Sequence, residues 1–388
     1  MEVLKPASLT MAVVIDNTPN TPHTHVFLIG VGEYPFLQGG SAYPGPSAGV
    51  PALGQLTSPQ ASVTALYTAI KHLHNTTAWL TPLGSIEVVV SPYPDASSVM
   101  TEAAPMPATL QNIKIAYAEW KDRCNDHPDN VALFYFCGHG LEKGDQYLLT
   151  QDFGKDTNDP WSDAIAFNAT RRAFHRCKAK TQLFFIDACR QVTATMLTQD
   201  LTSVPPIDRP DQITPDCAHF LTVKAAAFNE NAFGRVNEPS FFVRALIAGL
   251  KGGASEKLNG EWKVSTSSLA NKIPEILGKI EASQNYPQRS ESQMGGKQHI
   301  IKLAGPPKVS CTVDCEPGAA LALADLSYRN VDTGGNETRP APAPDPWQID
   351  LEAGYYELEA RFQANQFKGA KNREFAAPPF VTTKLVCT

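Results

Sequence analysis

The sequence has no apolar run long enough to cross a membrane and no basic excess, since 39 Asp and Glu outnumber 33 Lys and Arg for a formal charge of −6. Without them there is no membrane span and no basic surface for nucleic acid or anionic lipid, so neither is expected as a partner. The opening "MEVLKPASLTMAVVIDNTPN" has an acidic residue at position 2, a proline at position 6 and no long apolar core, and it fails as a secretory signal. A cytoplasmic location is the expectation. Eight cysteines, at 124, 137, 177, 189, 217, 311, 315 and 387, form no C-x-x-C pair, which argues against a disulfide scaffold and against a zinc site. Cys311 and Cys315 come nearest to a pair, and their spacing suits two same-face positions of a strand. "GVGEYP" lacks the second and third glycines of the dinucleotide fingerprint, which disfavours a generic nucleotide-binding enzyme.

What is present is ordinary globular material: 388 residues, 43% apolar and 19% charged, a length that usually needs more than one core. "THVFLIGVGEY" (24–34), "SIEVVVS" (85–91), "VALFYFC" (131–137) and "TQLFFIDACR" (181–190) read as buried strands. The Gly/Pro-rich stretch 38–54 reads as a loop. A helix is expected from a Ser58 cap with Pro59 in its first turn, placing Val63, Leu66, Tyr67 and Ile70 on one face. Helices are also expected at 107–124, presenting Leu110, Ile113, Tyr117 and Trp120, and at 168–177. Strands alternating with helices predict an α/β fold with a mainly parallel, doubly wound sheet flanked by helices.

Two strand ends carry reactive residues. The run 131–137 breaks into Gly-His-Gly, and the run from 181 breaks at Asp-Ala-Cys-Arg. Strand ends at the carboxyl edge of an open α/β sheet are where ligands sit. If the two strands are adjacent, His139 and Cys189 project from the same edge as a dyad. The imidazole would favour the thiolate and later protonate the leaving amine. Gly140, lacking a side chain, lets its amide approach a substrate carbonyl, and with the Cys189 amide it would form an oxyanion hole. Taken alone, a strand-end His-Gly is commonly a turn and a strand-end Cys commonly a small buried hydrophobe. Cys137 reads as core, and the eight other histidines as structural.

"FYFCGHG" followed by "FFIDACR" resembles the catalytic motifs of the caspase and metacaspase clan of cysteine peptidases, and caspases show the same fifty-residue spacing. The segment 213–254 is similar to that clan's fifth strand, variable loop and Ser-Phe helix start, so the resemblance covers roughly 24–304. It implies a cysteine endopeptidase acting on protein or peptide substrates. The Asp-Ala-Cys motif is closer to the Asp-x-Cys of metacaspases than to the caspase Gln-Ala-Cys, which implies that Asp187 floors a pocket for Arg or Lys; the alternative is that it serves as a helix or turn partner. "VKAAAFNEN", with Ala225, Ala226 and Ala227, offers no arginine for an acidic substrate. Gln60 stands about where metacaspases carry a second pocket carboxylate. Similar metacaspase loops can hold calcium, and 191–223 contains Asp200, Asp208, Asp211 and Asp216, so Ca2+ is a candidate cofactor beside the plainer reading of a solvated acidic loop. No metal is assigned to the dyad. Between Arg190 and Lys224 the one basic residue is Arg209, followed by Pro210, so the chain is expected to work uncut there.

From about 306 the texture changes to short alternating runs, "VSCTVDC", "AALALADLSYR", "PWQIDL", "YYELEARF" and "FVTTKLVC", separated by Gly, Pro and Asn. A small all-β sandwich is expected. The expected organisation is an N-terminal extension (1–23), a caspase-like peptidase domain (24–304) and a β-sandwich (305–388) that docks a protein partner. A catalytically silent scaffold working through that sandwich is the alternative to an active peptidase.

Overall fold

The computed structural model describes residues 12–388 except 17, 19, 48, 95–97, 99, 101, 103, 194–195, 197–199, 202–203, 209–216, 228–229, 231, 233–234, 283–287 and 364–365. In chain order the first part contains β1 (Ala12–Val14), β2 (Thr24–Val31), α1 (Ser58–Asn75), β3 (Leu83–Ser91), α2 (Leu110–Cys124), β4 (Val131–Cys137), β5 (Gly140–Lys143), β6 (Asp145–Leu149), β7 (Ala164–Ala166), α3 (Phe167–Phe174), β8 (Thr181–Asp187) and β9 (His219–Lys224). It continues with α4 (Phe241–Ala248), a π-helical turn (Gly249–Gly253), β10 (Ser255–Leu258), β11 (Glu261–Ser265), α5 (Thr266–Ala282), β12 (Glu291–Gly295) and β13 (His299–Lys302).

The central sheet has the order β1-β3-β2-β4-β8-β9-β12. Its five inner strands are parallel, and its edge strands β1 and β12 are antiparallel. Counting only the parallel strands by first appearance, the order is second, first, third, fourth, fifth, a doubly wound arrangement. The apolar runs form it because successive side chains alternate between two cores. Leu133 and Tyr135 of β4, with Leu183 and Phe185 of β8, pack under α1, α4 and α5. Phe134, Phe136, Phe184 and Ile186 face the opposite layer with α2 and α3. Both faces are therefore buried, and these strands read as unbroken apolar stretches.

The helix faces follow the periodicity: Val63, Leu66, Tyr67 and Ile70 of α1 and Leu110, Ile113, Tyr117 and Trp120 of α2 are all buried. One expectation is corrected at the start of α1, whose N-cap is Thr57 and not Ser58, with no side-chain capping bond. The Thr57 hydroxyl instead accepts the Asn237 N–H at 2.9 Å, tying the helix start to the segment before α4.

Beyond β13 the chain forms β14 (Lys308–Glu316), a 3-10 turn (Gly318–Leu323), β15 (Asp325–Asn330), β16 (Asn336–Arg339), β17 (Trp347–Glu352), β18 (Gly354–Arg361), β19 (Ala370–Ala376) and β20 (Phe380–Val386). A three-stranded sheet β17-β14-β20 faces a four-stranded sheet β16-β15-β18-β19. Their shared core holds Cys311 and Cys315, both inward-facing positions of β14. That core also takes in Trp262 of β11, so the sandwich rests on the peptidase-like part.

Candidate active site

Register brings the two motifs together. β4 and β8 are adjacent and parallel, with Cys137 opposite Asp187, so two residues further on His139 stands level with Cys189. In the runs 131–141 and 181–190 every residue is buried except these two. They share a cleft of about 360 Å³ with Gln55, Thr57, Asp187, Ala232, Arg235 and Ser240.

The glycines around His139 are dictated by close packing. A Cβ on Gly138 would lie 2.9 Å from the Tyr34 hydroxyl, and one on Gly140 would lie 2.7 Å from both the Ala188 Cβ and the Cys189 carbonyl oxygen. The histidine loop and the nucleophile turn approach this closely only without side chains there. The His139 carbonyl accepts the Leu149 N–H at 3.1 Å, which makes Gly140 and Leu148 a non-hydrogen-bonded pair. The Gly140 amide consequently faces away from β6, toward the side where Glu142 N–H donates to Gln191 O at 3.1 Å and the chain leaves Cys189.

His139 is oriented from two directions. Its Nε2 lies 2.8 Å from the Gly54 carbonyl oxygen, which can only accept, so Nε2 carries the proton and Nδ1 is left as the basic nitrogen. Its backbone N–H donates to the Tyr34 hydroxyl at 2.8 Å, and the two rings lie 4.8 Å apart. Gln55 fixes the loop that supplies Gly54, accepting the Tyr34 N–H at 2.8 Å and donating to the Tyr34 carbonyl at 3.0 Å. Sequence reading missed both residues: Tyr34 reads as the end of the strand run 24–34, and Gln55 falls just past the loop 38–54 with no motif to mark it.

Burial favours the neutral forms of both Cys189 and His139. It pushes the Cys189 thiol up and the His139 imidazole down from their ordinary values. The Cys189 Sγ accepts the Ala232 N–H at 3.3 Å and lies 3.8 Å from the Ala232 carbonyl. No hydrogen bond joins it to His139 among the described residues.

Asp187 walls the same cleft and is buried. Its Oδ2 accepts from the Tyr135 hydroxyl at 2.8 Å and from the Ser240 hydroxyl, which also accepts the Val243 N–H at the start of α4. Burial raises its pKa to about 6 despite these donors. Arg190, the next residue after Cys189, received no role from the sequence. It is buried and ion-paired to Glu142 of β5 and Glu291 of β12, and it donates to the Ala226 carbonyl at 3.3 Å. Arg235, which lies beyond the arginine-free stretch 223–231 in the segment before α4, lines the cleft and lies 3.8 Å from Glu238. Of the candidate calcium carboxylates, Asp208 is ion-paired to Lys121 and to Arg176, while Asp200 is exposed. Asp211 and Asp216 lie outside the described residues, as do Arg209 and Pro210.

The family model for the caspase domain matches residues 63–297. An uncharacterized protein of Sinorhizobium fredii is 30% identical over 203 residues, covering 50% of this chain and 58% of its own length. A probable protease of a Desulfuromonadales bacterium is 27% identical over 354 residues, covering 82% of this chain and 42% of its own. The chain thus spans about half the length of these relatives. Among solved structures, caspase-1 from Spodoptera frugiperda aligns over 73% of this chain and 94% of its own at 11% identity and a TM-score of 0.40. A Geobacter sulfurreducens protein aligns over 71% and 94% at 12% identity and a TM-score of 0.43.

Proposed function

Because the chain belongs to the caspase-domain family of peptidases, we propose that it is a cysteine endopeptidase with Cys189 as nucleophile and His139 as the proton carrier, cleaving after Arg or Lys. The observation that carries this is the β4–β8 register, which sets His139 level with Cys189 at the carboxyl edge of the sheet, in one cleft with Asp187. Nδ1 of His139 takes the thiol proton as Sγ attacks the peptide carbonyl. The Gly140 and Cys189 amides receive the oxyanion, and the imidazolium protonates the departing amine. Water, deprotonated by the same Nδ1, then hydrolyses the thioester. Asp187 offers a desolvated carboxylate to a basic side chain, and a guanidinium there would draw its pKa back down. The chain requires no assigned cofactor, Ca2+ remains a proposed activator only, and a cytoplasmic location belongs to the same proposal.

A substrate must displace Ala232 from the thiol. That contact and the missing Cys–His bond favour a second reading, a catalytically silent scaffold that binds a protein partner through the β-sandwich. Incubation of the full chain with a peptide library, with and without calcium, separates the two. The peptidase reading expects cuts after Arg and Lys that disappear in Cys189→Ala. No cleavage under any condition, together with an unreactive Cys189, leaves the scaffold.

A further inference from the structure

We propose that the cleft at the seam between the peptidase part and the β-sandwich binds a polyphosphorylated small molecule. The cleft is far from the dyad in the chain and has a volume of about 670 Å³, inside the roughly 300–1,000 Å³ range of small-molecule pockets. Three lysines line it from three elements: Lys251 of the π-helical turn after α4, Lys279 of α5 and Lys308 at the start of β14. Ile276, one turn before Lys279 on the same face of α5, and Leu303 of the linker give it an apolar wall.

The charge at the seam is unbalanced in a chain whose net charge is −6. Several lysines elsewhere stand beside carboxylates, as in Lys297–Glu256 at 2.9 Å, Lys272–Glu275 at 3.0 Å and Lys371–Glu357 at 3.0 Å. None of the three seam lysines forms an ion pair among the described residues. Lys279 is half-buried, and its Nζ has only a long contact to the Ser310 hydroxyl at 3.5 Å and the Phe380 ring at 4.4 Å. Burial lowers its pKa, with the Asp350 carboxylate acting in the opposite sense. The single carboxylate in the wall, Asp350, is exposed on β17. Three cations against one anion around a small volume call for a ligand with several anionic oxygens spread over a few ångströms. Lysines serve phosphates as point charges, which favours a polyphosphate over a single carboxylate. The Ile276–Leu303 wall then receives an apolar or aromatic body.

Such a ligand would tie the sandwich, through Lys308, to α4 and α5. The same α4 begins at Ser240, which bonds Asp187, so Lys251 lies roughly 16 Å along the helix from the catalytic cleft.

Calorimetric titration of the full chain with ATP, and competition by inorganic tripolyphosphate, test the proposal. One saturable ATP site is expected, with a melting temperature that climbs as ATP is added. Lys279→Ala and Lys251→Glu should each weaken it roughly tenfold or more, whereas Lys297→Ala, whose ion pair lies outside the cleft, should not. Tripolyphosphate should displace ATP but bind more weakly, having no body for the apolar wall. Absence of a saturable ATP site, an affinity untouched by both seam variants, or failure of tripolyphosphate to compete would overturn it. Circular-dichroism melts of the two variants check that they are folded.

Discussion

At the residue scale, the commitment of His139 Nε2 to the Gly54 carbonyl leaves Nδ1 as the basic nitrogen, and the Tyr34 hydroxyl holds the backbone from which the ring projects. Tyr34→Phe keeps the ring and removes that acceptor, so kcat should fall roughly tenfold, about 1.4 kcal/mol of barrier, with KM little changed. A rise in KM at constant kcat would show that Tyr34 serves binding instead. Because burial lowers the His139 pKa, the acid limb of kcat/KM should lie below the ordinary imidazole value, as a pH–rate profile will show. Asp187 behaves in the opposite sense. Its folded pKa of about 6 exceeds its ordinary value of 3.8, so the native state holds this proton more tightly than the unfolded chain does. Its contribution to stability is therefore present at low pH and is lost as pH rises from about 3.8 through about 6. Asp187→Asn should flatten that part of the stability curve in urea titrations. In the wild type, the preference for Arg and Lys over neutral side chains should fade below about pH 6 as the carboxylate protonates, and a preference independent of pH would exclude Asp187 from the pocket.

At the scale of elements, the nucleophile turn is clamped to two other strands, since Arg190 joins Glu142 of β5 and Glu291 of β12. Arg190→Met strands the largely buried Glu142 and should cost about 3–5 kcal/mol in urea unfolding, and a loss below about 1 kcal/mol would show the clamp to be dispensable. The meeting of His139 and Cys189 in one cleft was legible in sequence because both interrupt apolar runs at the ends of strands that pair in parallel. The clamp was not, because Arg190 and Glu291 are 101 positions apart and neither breaks a local pattern. Tyr34 and His139, 105 positions apart, were hidden for the same reason. In the sandwich, β16 and β19 went unseen because "NETR" and "AKNREFA" are mostly polar, as befits strands at the edges of their sheet. The alternation in "AALALADLSYR" read as one strand, yet Gly318–Leu323 closes into a 3-10 turn that buries Ala320 and Leu321 before β15 begins.

At the scale of the molecule, the cleft that holds His139 and Cys189 lies at one edge of the central sheet and the sandwich rests on Trp262 and Leu303. A chain ending near Lys302 should still cleave small peptides but melt at a lower temperature, because Trp262 loses its cover. Folded yet inactive protein would mean that the sandwich completes the active site. The proposed function depends above all on a base-activated thiol at position 189 in a pocket for a basic side chain. Peptide mapping by mass spectrometry after treatment with a peptidyl chloromethyl ketone ending in arginine tests this directly. The full chain should carry one adduct, on Cys189, which is lost in His139→Ala and slowed in Asp187→Asn. An adduct on a different cysteine, no adduct, or equal labelling of His139→Ala would contradict it.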